Sequence, residues 1–423
     1  MLFIGSRLTG QRAAKDRPER TPWLGIPLLA RLGYRMATQI PIGVAAKAAY
    51  LCALKGMRAV WLYKRALKKG ELFPPFMFVA LTDTCNLRCE GCWVEKEGTA
   101  HYMPTADLLR MIENGKRRGA NYYTLLGGEP FMHKGIWEAF RKHRDCYFQV
   151  ITNGMFFNEK NVKELRRLGN VTPLISIDGM EANNDQRRGK GVFESATSKM
   201  KLLRDAGILF GIATTTTGKN MTEVMTDEYL EYWIRQGAMY IWYYVYRPVG
   251  EHPHPEYCMS RDQLIEMRKR LLHLRRRQPI FIIDTYWTAD GEAFCPAAMG
   301  LGFHVGPSGS IEPCPPLSFA RERIQDNDGD FYKTIADSEF LKGFQGFVKE
   351  RTKGCVILEH PQELVEYIGG MGAQDFSGRD ALAEINAGSP RSSHHLPGEE
   401  IPEDFWLYRF LKRQVFFGMG ALG

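Results

Sequence analysis

The 423-residue chain lacks any run of about 18 uncharged apolar residues, so we expect no segment that crosses a lipid bilayer. It also lacks the basic, apolar and cleavage regions that together make a secretory signal peptide at the N-terminus. No internal repeat, phosphate-binding P-loop or glycine-rich dinucleotide fingerprint occurs, which argues against repeat scaffolds and the enzymes that carry those motifs. These absences predict a cytoplasmic protein whose cysteines stay reduced.

Acidic residues are too few to balance the basic ones, because 56 Lys and Arg against 48 Asp and Glu give a net charge of +8. Such a charge favours an anionic partner, and by itself it does not choose between nucleic acid and a membrane surface. The contents of 44% hydrophobic and 25% charged residues are typical of globular proteins. The length favours two domains with extensions.

Three of the nine cysteines lie in one short stretch, where Cys85, Cys89 and Cys92 have the spacing C-x₃-C-x₂-C. They directly follow the apolar run 76–81, which we predict to be a buried strand. Three thiolates on one loop can hold three irons of a cubane iron–sulfur cluster and leave the fourth iron open to a substrate or cofactor. A zinc site usually has four protein ligands in separated pairs, and a disulfide framework needs an even number of cysteines, so the spacing favours the open cluster.

At these residues the chain resembles the radical S-adenosylmethionine (radical SAM) superfamily. The resemblance implies a 4Fe–4S cluster on Cys85, Cys89 and Cys92, with the amine and carboxylate of SAM on the fourth iron. Gly91 departs from the family pattern, in which the residue before the third cysteine is often aromatic. Trp93 is a candidate for the missing ring, and a plain core position is the alternative.

Further motifs of that family follow in order along the chain. A Gly-Gly-Glu-Pro stretch after the second predicted strand would bind the SAM amino group through backbone carbonyls and the glutamate. Ser176 and Asp178 would lie near the SAM ribose and carboxylate, and Arg188 would pair with the carboxylate, with Arg187 as the competing choice. The SAM-binding residues predicted from the resemblance are Gly127, Gly128, Glu129, Pro130, Asn153, Ser176, Asp178 and Arg188.

Short apolar strands alternate with helical stretches between residues 76 and 250, which predicts βα units and a parallel sheet. The resemblance implies an α/β fold with a partial (β/α)₆ TIM-type barrel. In such barrels ligands bind at the carboxyl ends of the strands. We predict strands at 76–81, 122–126, 148–152, 174–177, 209–215 and 240–246, with helices beginning near residues 105, 134, 159, 192 and 221.

The region from residue 251 resembles a SPASM/twitch-like extension, a small α+β domain that carries an auxiliary cluster. A predicted hairpin around Pro307-Ser308-Gly309 has Cys295 and Cys314 at its outer ends, and Cys355 follows a helix. The resemblance implies one second 4Fe–4S cluster on these three cysteines, because the further cysteines of a full SPASM domain are missing. Its fourth ligand stays open between Cys258, His360 and no protein ligand.

The two chain ends are basic and aromatic. Residues 42–69 read as a helix that either lies on anionic lipid or packs on the barrel. Residues 386–404 read as a flexible linker, and 405–417 as a helix that either anchors to a membrane or docks on the core. The predicted division is therefore a basic helical extension (1–75), a radical SAM core (76–250), a SPASM/twitch-like domain (251–385) and a linker with an amphipathic helix (386–423).

These resemblances imply an enzyme in which an external donor such as flavodoxin or ferredoxin reduces the cluster. SAM would then be cleaved to a 5′-deoxyadenosyl radical that abstracts hydrogen from a small-molecule, lipid or peptide substrate. The basic ends suggest a lipid or isoprenoid at a membrane surface, and the auxiliary domain suggests ribosomal peptide maturation. A non-catalytic iron–sulfur protein is the remaining alternative. No cobalamin-binding domain is visible, and we expect no nucleic-acid partner.

Overall fold

The computed structural model of the protein describes residues 28–94 and 99–414. A central sheet dominates this part of the chain and is buried on both sides, as parallel sheets are. Its strands are β1 (Met77–Ala80), β2 (Tyr122–Leu126), β3 (Tyr147–Thr152), β4 (Val171–Ser176), β5 (Gly211–Thr216), β6 (Tyr240–Val245), β7 (Phe281–Ile283), β8 (His304–Val305) and β9 (Ile311–Glu312).

The strands run in the order β7-β6-β5-β4-β3-β2-β1-β8-β9, and every neighbouring pair is parallel except the β8–β9 hairpin. The α/β fold class is confirmed, and each of the six predicted strands lies within three residues of an observed one. The predicted hairpin is also present, because β8 and β9 pair antiparallel around the Pro307-Ser308-Gly309 turn.

Helices connect the strands and cover the sheet. Those that begin at Thr105, Glu159, Val192 and Met221 start where the sequence predicts them. The helices are α1 (Leu28–Gln39), α2 (Ile42–Ala48), α3 (Lys55–Leu67), α4 (Thr105–Arg118), α5 (Ile136–Lys142), α6 (Glu159–Leu168), α7 (Glu181–Arg188), α8 (Val192–Asp205), α9 (Met221–Val224), α10 (Asp227–Gln236), α11 (Arg261–Arg277), α12 (Phe331–Asp337), α13 (Glu339–Arg351), α14 (Val356–Glu359), α15 (Pro361–Gly370), α16 (Ala381–Asn386) and α17 (Trp406–Gln414).

The parallel sheet continues beyond residue 251, where the sequence predicted a new domain. Helix α11 crosses over and β7 pairs parallel with β6, and β8 then pairs parallel with β1. A capping box of Ser260 and Gln263 begins α11. The basic run of α11 is only partly exposed to solvent, because Arg268 and Arg275 are buried and pair with acidic groups inside the protein.

The N-terminal helices pack against the amino ends of the barrel strands. Helix α2, a π-helical turn (Ala49–Leu54) and α3 form one continuous helical segment, and their apolar side chains join the core inside the sheet. Tyr63 donates a hydrogen bond to the carbonyl of Met299, and Lys47 donates to the carbonyl of Leu168 at 2.6 Å. This segment therefore closes the barrel at the end opposite the predicted ligand site.

The prediction of a flexible linker at 386–404 is wrong, because this irregular segment is partly buried. Ser393 and His394 are enclosed, and the backbone N–H of Glu403 donates to the carbonyl of Ala289 at 2.9 Å. Chain segments without regular structure can be ordered when tertiary contacts satisfy their backbone groups.

Helix α17 docks on the core and is not a tethered anchor. Buried Lys412 donates to Asp284 at 3.0 Å and to the carbonyl of Trp287 at 2.6 Å, and buried Arg275 joins Asp284 to Glu403. Of the two alternatives for this helix, docking on the core is therefore the one observed, while residues 415–417 of the predicted helix lie outside the described residues. Within the described ranges, no helix is long and apolar enough to cross a membrane.

Candidate functional site

The first cysteine group lies on the loop that follows β1, at the carboxyl end of the sheet. Cys85, Cys89 and Cys92 all line a cavity of about 310 Å³. Backbone hydrogen bonds hold the loop, including one from the N–H of Glu90 to the carbonyl of Arg187 at 2.8 Å. The loop that the sequence singled out therefore faces the place where a parallel barrel binds its ligands.

The two glycines after β2 let their loop lie directly on the backbone of the cysteine loop. The N–H of Gly128 donates to the carbonyl of Thr82 at 2.7 Å, and that of Glu129 donates to Thr84 at 2.8 Å. A Cβ atom at Gly127 would lie 2.1 Å from the Thr82 carbonyl oxygen, and Gly127 has a φ of +134°. Only glycine suits this approach, and both glycines line the cavity.

Glu129 lies behind the cavity and fixes the neighbouring loop. Its carboxylate accepts from Thr152 Oγ1 at 2.7 Å and from the backbone N–H groups of Asn153 and Phe131 at 2.9 and 3.1 Å. Burial raises its pKa to about 7, although these three donors oppose the shift. Neither Glu129 nor Pro130 lines the cavity, so the carboxylate braces the loops in this structure, and its contact with SAM stays a prediction.

Asn153, Ser176 and Arg188 do line the cavity, as the predicted SAM site requires. Asn153 Nδ2 donates to Asn86 Oδ1 at 2.7 Å, which ties the end of β3 to the cysteine loop. Arg188 Nη1 lies 3.9 Å from Cys89 Sγ, so this guanidinium is next to the predicted cluster.

Asp178 is buried beneath two arginines. Its carboxylate pairs with Arg187 and with Arg188, whose Nε is 2.7 Å away, and it accepts from the N–H of Thr215 at 2.8 Å. Burial raises the pKa of Asp178, but the two guanidinium groups outweigh burial and hold the pKa below its usual range. Asp178 therefore orients the arginines, and both of them, including the competing choice Arg187, face the cavity.

The sequence reasoning missed the aromatic residues at the end of β6. A Cβ atom at Gly91 would lie 2.6 Å from the hydroxyl oxygen of Tyr246, so Tyr246 supplies the ring next to Gly91. Trp93 also lines the cavity, with its ring edge-to-face against His304 at 5.8 Å. The alternation of β6, with Trp242, Tyr244 and Tyr246 on one face, is the signal that could have found them.

The second cysteine group closes the other side of the same cavity. Cys295, Cys314 and Cys355 all line it, although they come from three separate parts of the chain. Arg247, two residues after β6, also lines it and donates from Nε to Cys355 Sγ at 3.0 Å and from Nη1 to the carbonyl of Val245 at 2.9 Å. This arginine was also missed.

Buried His394 contributes to the same wall, with Nε2 3.0 Å from the carbonyl oxygen of Phe294. Burial and the nearby Arg247 lower its pKa to about 3, so the imidazole is neutral. Of the candidates for a fourth ligand, Cys258 lies outside the cavity lining, and burial raises the pKa of its thiol although Arg391 and Arg247 oppose the shift. His360 instead pairs with Glu363 at 2.8 Å and lies outside the cavity lining.

The donor set suits iron–sulfur clusters. Burial raises the pKa of Cys85 and of Cys295 to about 11, so the metal-free protein keeps them as thiols, and binding iron would release protons. Across residues 28–94 and 99–414, no three His, Cys, Asp or Glu side chains are close enough to hold a single metal ion. Cubane clusters instead need thiolates spread around their corners, and the two groups border one space.

The comparisons with known proteins agree with this geometry. A family model for the radical SAM superfamily matches residues 79–232. The sporulation killing factor maturation protein SkfB of Bacillus subtilis is 32% identical over 148 residues, which are 34% of this chain and 36% of SkfB. An AdoMet-dependent heme synthase of Methanosarcina barkeri is 25% identical over 311 residues, covering 65% of this chain and 89% of the relative.

Among solved structures, Streptococcus suis SuiB bound to S-adenosylmethionine has a TM-score of 0.58 at 17% identity, covering 70% of this chain and 72% of SuiB. This likeness shows the fold. The chain spans little more than a third of the length of SkfB and of the second curated relative it matches, a Fe-coproporphyrin III synthase of Methanosarcina barkeri.

The family match confirms the predicted recognition and, with it, a 4Fe–4S cluster and SAM as the cofactors of this domain. The residues assigned to each cofactor stay predictions. Residues 79–232 are therefore a radical SAM domain.

Proposed function

We propose that the protein is a radical SAM enzyme with two 4Fe–4S clusters, which acts on a peptide substrate. Cys85, Cys89 and Cys92 hold the first cluster, and Cys295, Cys314 and Cys355 hold the second. When bound and reduced, the first cluster supplies the electron that cleaves SAM and generates a radical able to abstract hydrogen from the substrate. An external donor such as flavodoxin or ferredoxin supplies that electron to the basic protein.

One observation carries the proposal: both cysteine groups border a single cavity of about 310 Å³. A substrate between them would be within reach of both redox groups. The chain's own residues bind and orient SAM, because Arg187 and Arg188 present cationic donors that buried Asp178 fixes in place. The backbone of Gly127 and Gly128 lets SAM approach the cysteine loop closely.

The peptide class is supported by the relatives. SkfB is named as a maturation protein, a further relative as a PqqA peptide cyclase, and one SuiB structure contains a precursor peptide. The wall beside the second cysteine group includes Leu317, Phe344, Val356 and Ile357, which suits an apolar side chain. The same lining favours a second candidate, a lipid or isoprenoid substrate, because apolar surface alone does not distinguish them.

The mechanism can be tested by anaerobic reconstitution followed by reaction with SAM and dithionite. The unmodified protein should bind about eight irons, four for each cubane cluster, and release 5′-deoxyadenosine slowly even without substrate. Cys89→Ala should abolish that release, because the cluster loses a ligand. Cys52→Ala, which changes a cysteine outside both groups, should release it normally.

Normal release from Cys89→Ala would contradict the proposal. A protein that binds iron but never cleaves SAM would establish the non-catalytic alternative.

The substrate class needs its own measurement. Small peptides encoded beside the gene should change mass when co-expressed with the unmodified protein, and they should be unchanged with Cys89→Ala. A change confined to the lipid extract would instead establish the lipid candidate.

A further inference from the structure

Exposed large apolar side chains are concentrated at the amino end of the barrel. Of ten such residues in the described ranges, nine lie on α1–α3, the π-helical turn between them, or α17. A concentration of this kind marks an interaction surface, whereas single exposed residues are ordinary. The nine are Leu29, Tyr34, Ile42, Tyr50, Leu54, Trp61, Leu67, Trp406 and Phe410.

The same helices carry charge of one sign. Residues 28–70 contain nine Lys and Arg and no Asp or Glu, and residues 406–414 contain three Lys and Arg and no acid. Buried Arg35 and Lys412 are used inside the protein, but most of the others reach the surface. Arg65 lies over the ring of Trp61 at 5.6 Å, so cationic and aromatic groups are interleaved.

Helices α1–α3 and helix α17 form one continuous surface, which we call the basic apolar face (residues 28–69 and 406–414). Lys64 on α3 donates to the carbonyl of Arg413 on α17 at 2.8 Å. A second cavity of about 310 Å³ opens between the segments, with Ala49 and Cys52 on one side and Leu411 on the other. It also contacts the starts of strands β3 and β6, so the face lies opposite the cysteine cavity.

We propose that the basic apolar face docks on an anionic lipid bilayer. Helices with cations flanking exposed Trp and Leu bind the interface by burying the apolar groups while the cations attract lipid headgroups. Trp61 and Trp406 are 57% and 61% exposed, and Ile42 is 87% exposed. The crevice between the segments is lined mainly by apolar side chains, with the paired Arg275, Asp284 and Lys412 in its wall, and gives a lipid tail a place to enter. This inference does not depend on the substrate or on SAM cleavage.

A second copy of the chain is a poorer occupant. A symmetric dimer through this face would bring together two surfaces whose cations outnumber the nearby acids Asp290 and Glu71, which is unfavourable. An acidic protein would satisfy the cations but leave the crevice between α2 and α17 unfilled. Lipid supplies both the negative charge and the apolar chains.

The test is sedimentation of the full chain with vesicles. Phosphatidylcholine vesicles with about one-third phosphatidylglycerol should retain the protein at low salt, and pure phosphatidylcholine vesicles should retain much less. High salt should release the protein, because exposed charges are screened. Lys68→Gln with Lys69→Gln should weaken binding about thirtyfold, and Trp61→Ser with Trp406→Ser should weaken it more than the two lysine changes do.

Matched controls lie away from the face. Tyr102→Ser removes the tenth exposed large apolar residue, and Lys190→Gln removes an exposed cation beside the cysteine cavity, so both should leave vesicle binding unchanged. All variants should keep the unmodified melting temperature, since the changed side chains are exposed. Equal binding to neutral and anionic vesicles, or unchanged binding by both double variants, would overturn the proposal. A salt-resistant dimer that the same substitutions dissociate would assign the face to a second copy.

Discussion

The two cysteine groups border one cavity but are built in opposite ways. Cys85, Cys89 and Cys92 lie within eight residues of one loop, whereas 60 residues separate Cys295 from Cys355. The first group depends on local spacing and on two glycines that let a neighbouring loop lie on it. The second depends on the packed fold, because a hairpin, a helix start and a turn must all be in place.

The largest expected effect separates the two groups by function. Cys355→Ala should lower bound iron from about eight to about four per chain, as Cys89→Ala should, because each change removes a ligand of one cubane cluster. Release of 5′-deoxyadenosine from SAM should persist in Cys355→Ala and disappear in Cys89→Ala. Iron analysis and chromatography on matched anaerobic samples measure both. Loss of SAM cleavage in Cys355→Ala would mean that the two groups act as one site.

A second prediction concerns the pH dependence of folding stability that buried His394 causes beside the Cys355 group. The pKa of His394 is lowered to about 3, so below its ordinary value of about 6.5 the unfolded chain binds a proton that the folded chain does not. Folding stability should therefore fall as the pH decreases from 6.5, by up to about 1.4 kcal/mol per pH unit from this group. His394→Gln should flatten the dependence of folding stability on pH, measured by urea unfolding between about pH 5 and about pH 6.5.

The control is His252→Gln, which changes an exposed histidine on the 251–255 link. It should leave the pH dependence as in the unmodified protein. An equal slope in His394→Gln and the unmodified protein would show that His394 is charged when folded.

The smallest expected effect is a change in the reduction potential of the second cluster. Arg247 donates a hydrogen bond to Cys355 Sγ, and donors to cluster sulfur stabilise the reduced state. Arg247→Gln should therefore lower the reduction potential of the second cluster while leaving that of the first unchanged, as followed by electron paramagnetic resonance during a redox titration. Arg88→Gln, which removes an exposed charge beside the first group, is the control. An unchanged second potential would contradict a role for this hydrogen bond.

The contrast between the groups explains what could be predicted from sequence. The strands, most helix starts, the hairpin and the first cysteine loop depend on local patterns, and the structure follows them closely. Tyr246 and Arg247 were missed because their contacts with Gly91 and Cys355 join positions distant in the chain. A single sequence carries no direct signal for such pairs.

Whether helix α17 docks on the core could not be decided from sequence for a similar reason. Its amphipathic pattern correctly indicated an apolar face, but the partner of Lys412 is Asp284, which is 128 residues away. Burying a cation is unfavourable without such a partner, so the sequence alone favoured a solvent-facing Lys412. The exposed Trp406 and Phe410 show that the opposite face does remain free in the described part of the chain.

The position of Tyr408 has a consequence for the handling of this protein. Strand β7 is the last strand on its side of the sheet. The N–H of Ile282 cannot pair with a further strand, because it already donates a hydrogen bond to Tyr408 Oη at 2.8 Å. Arg275 likewise occupies the Ile282 carbonyl. An uncovered strand of this kind recruits strands from other molecules and promotes aggregation. A chain shortened before residue 406 should therefore precipitate during purification, and an affinity tag should be added without removing this helix.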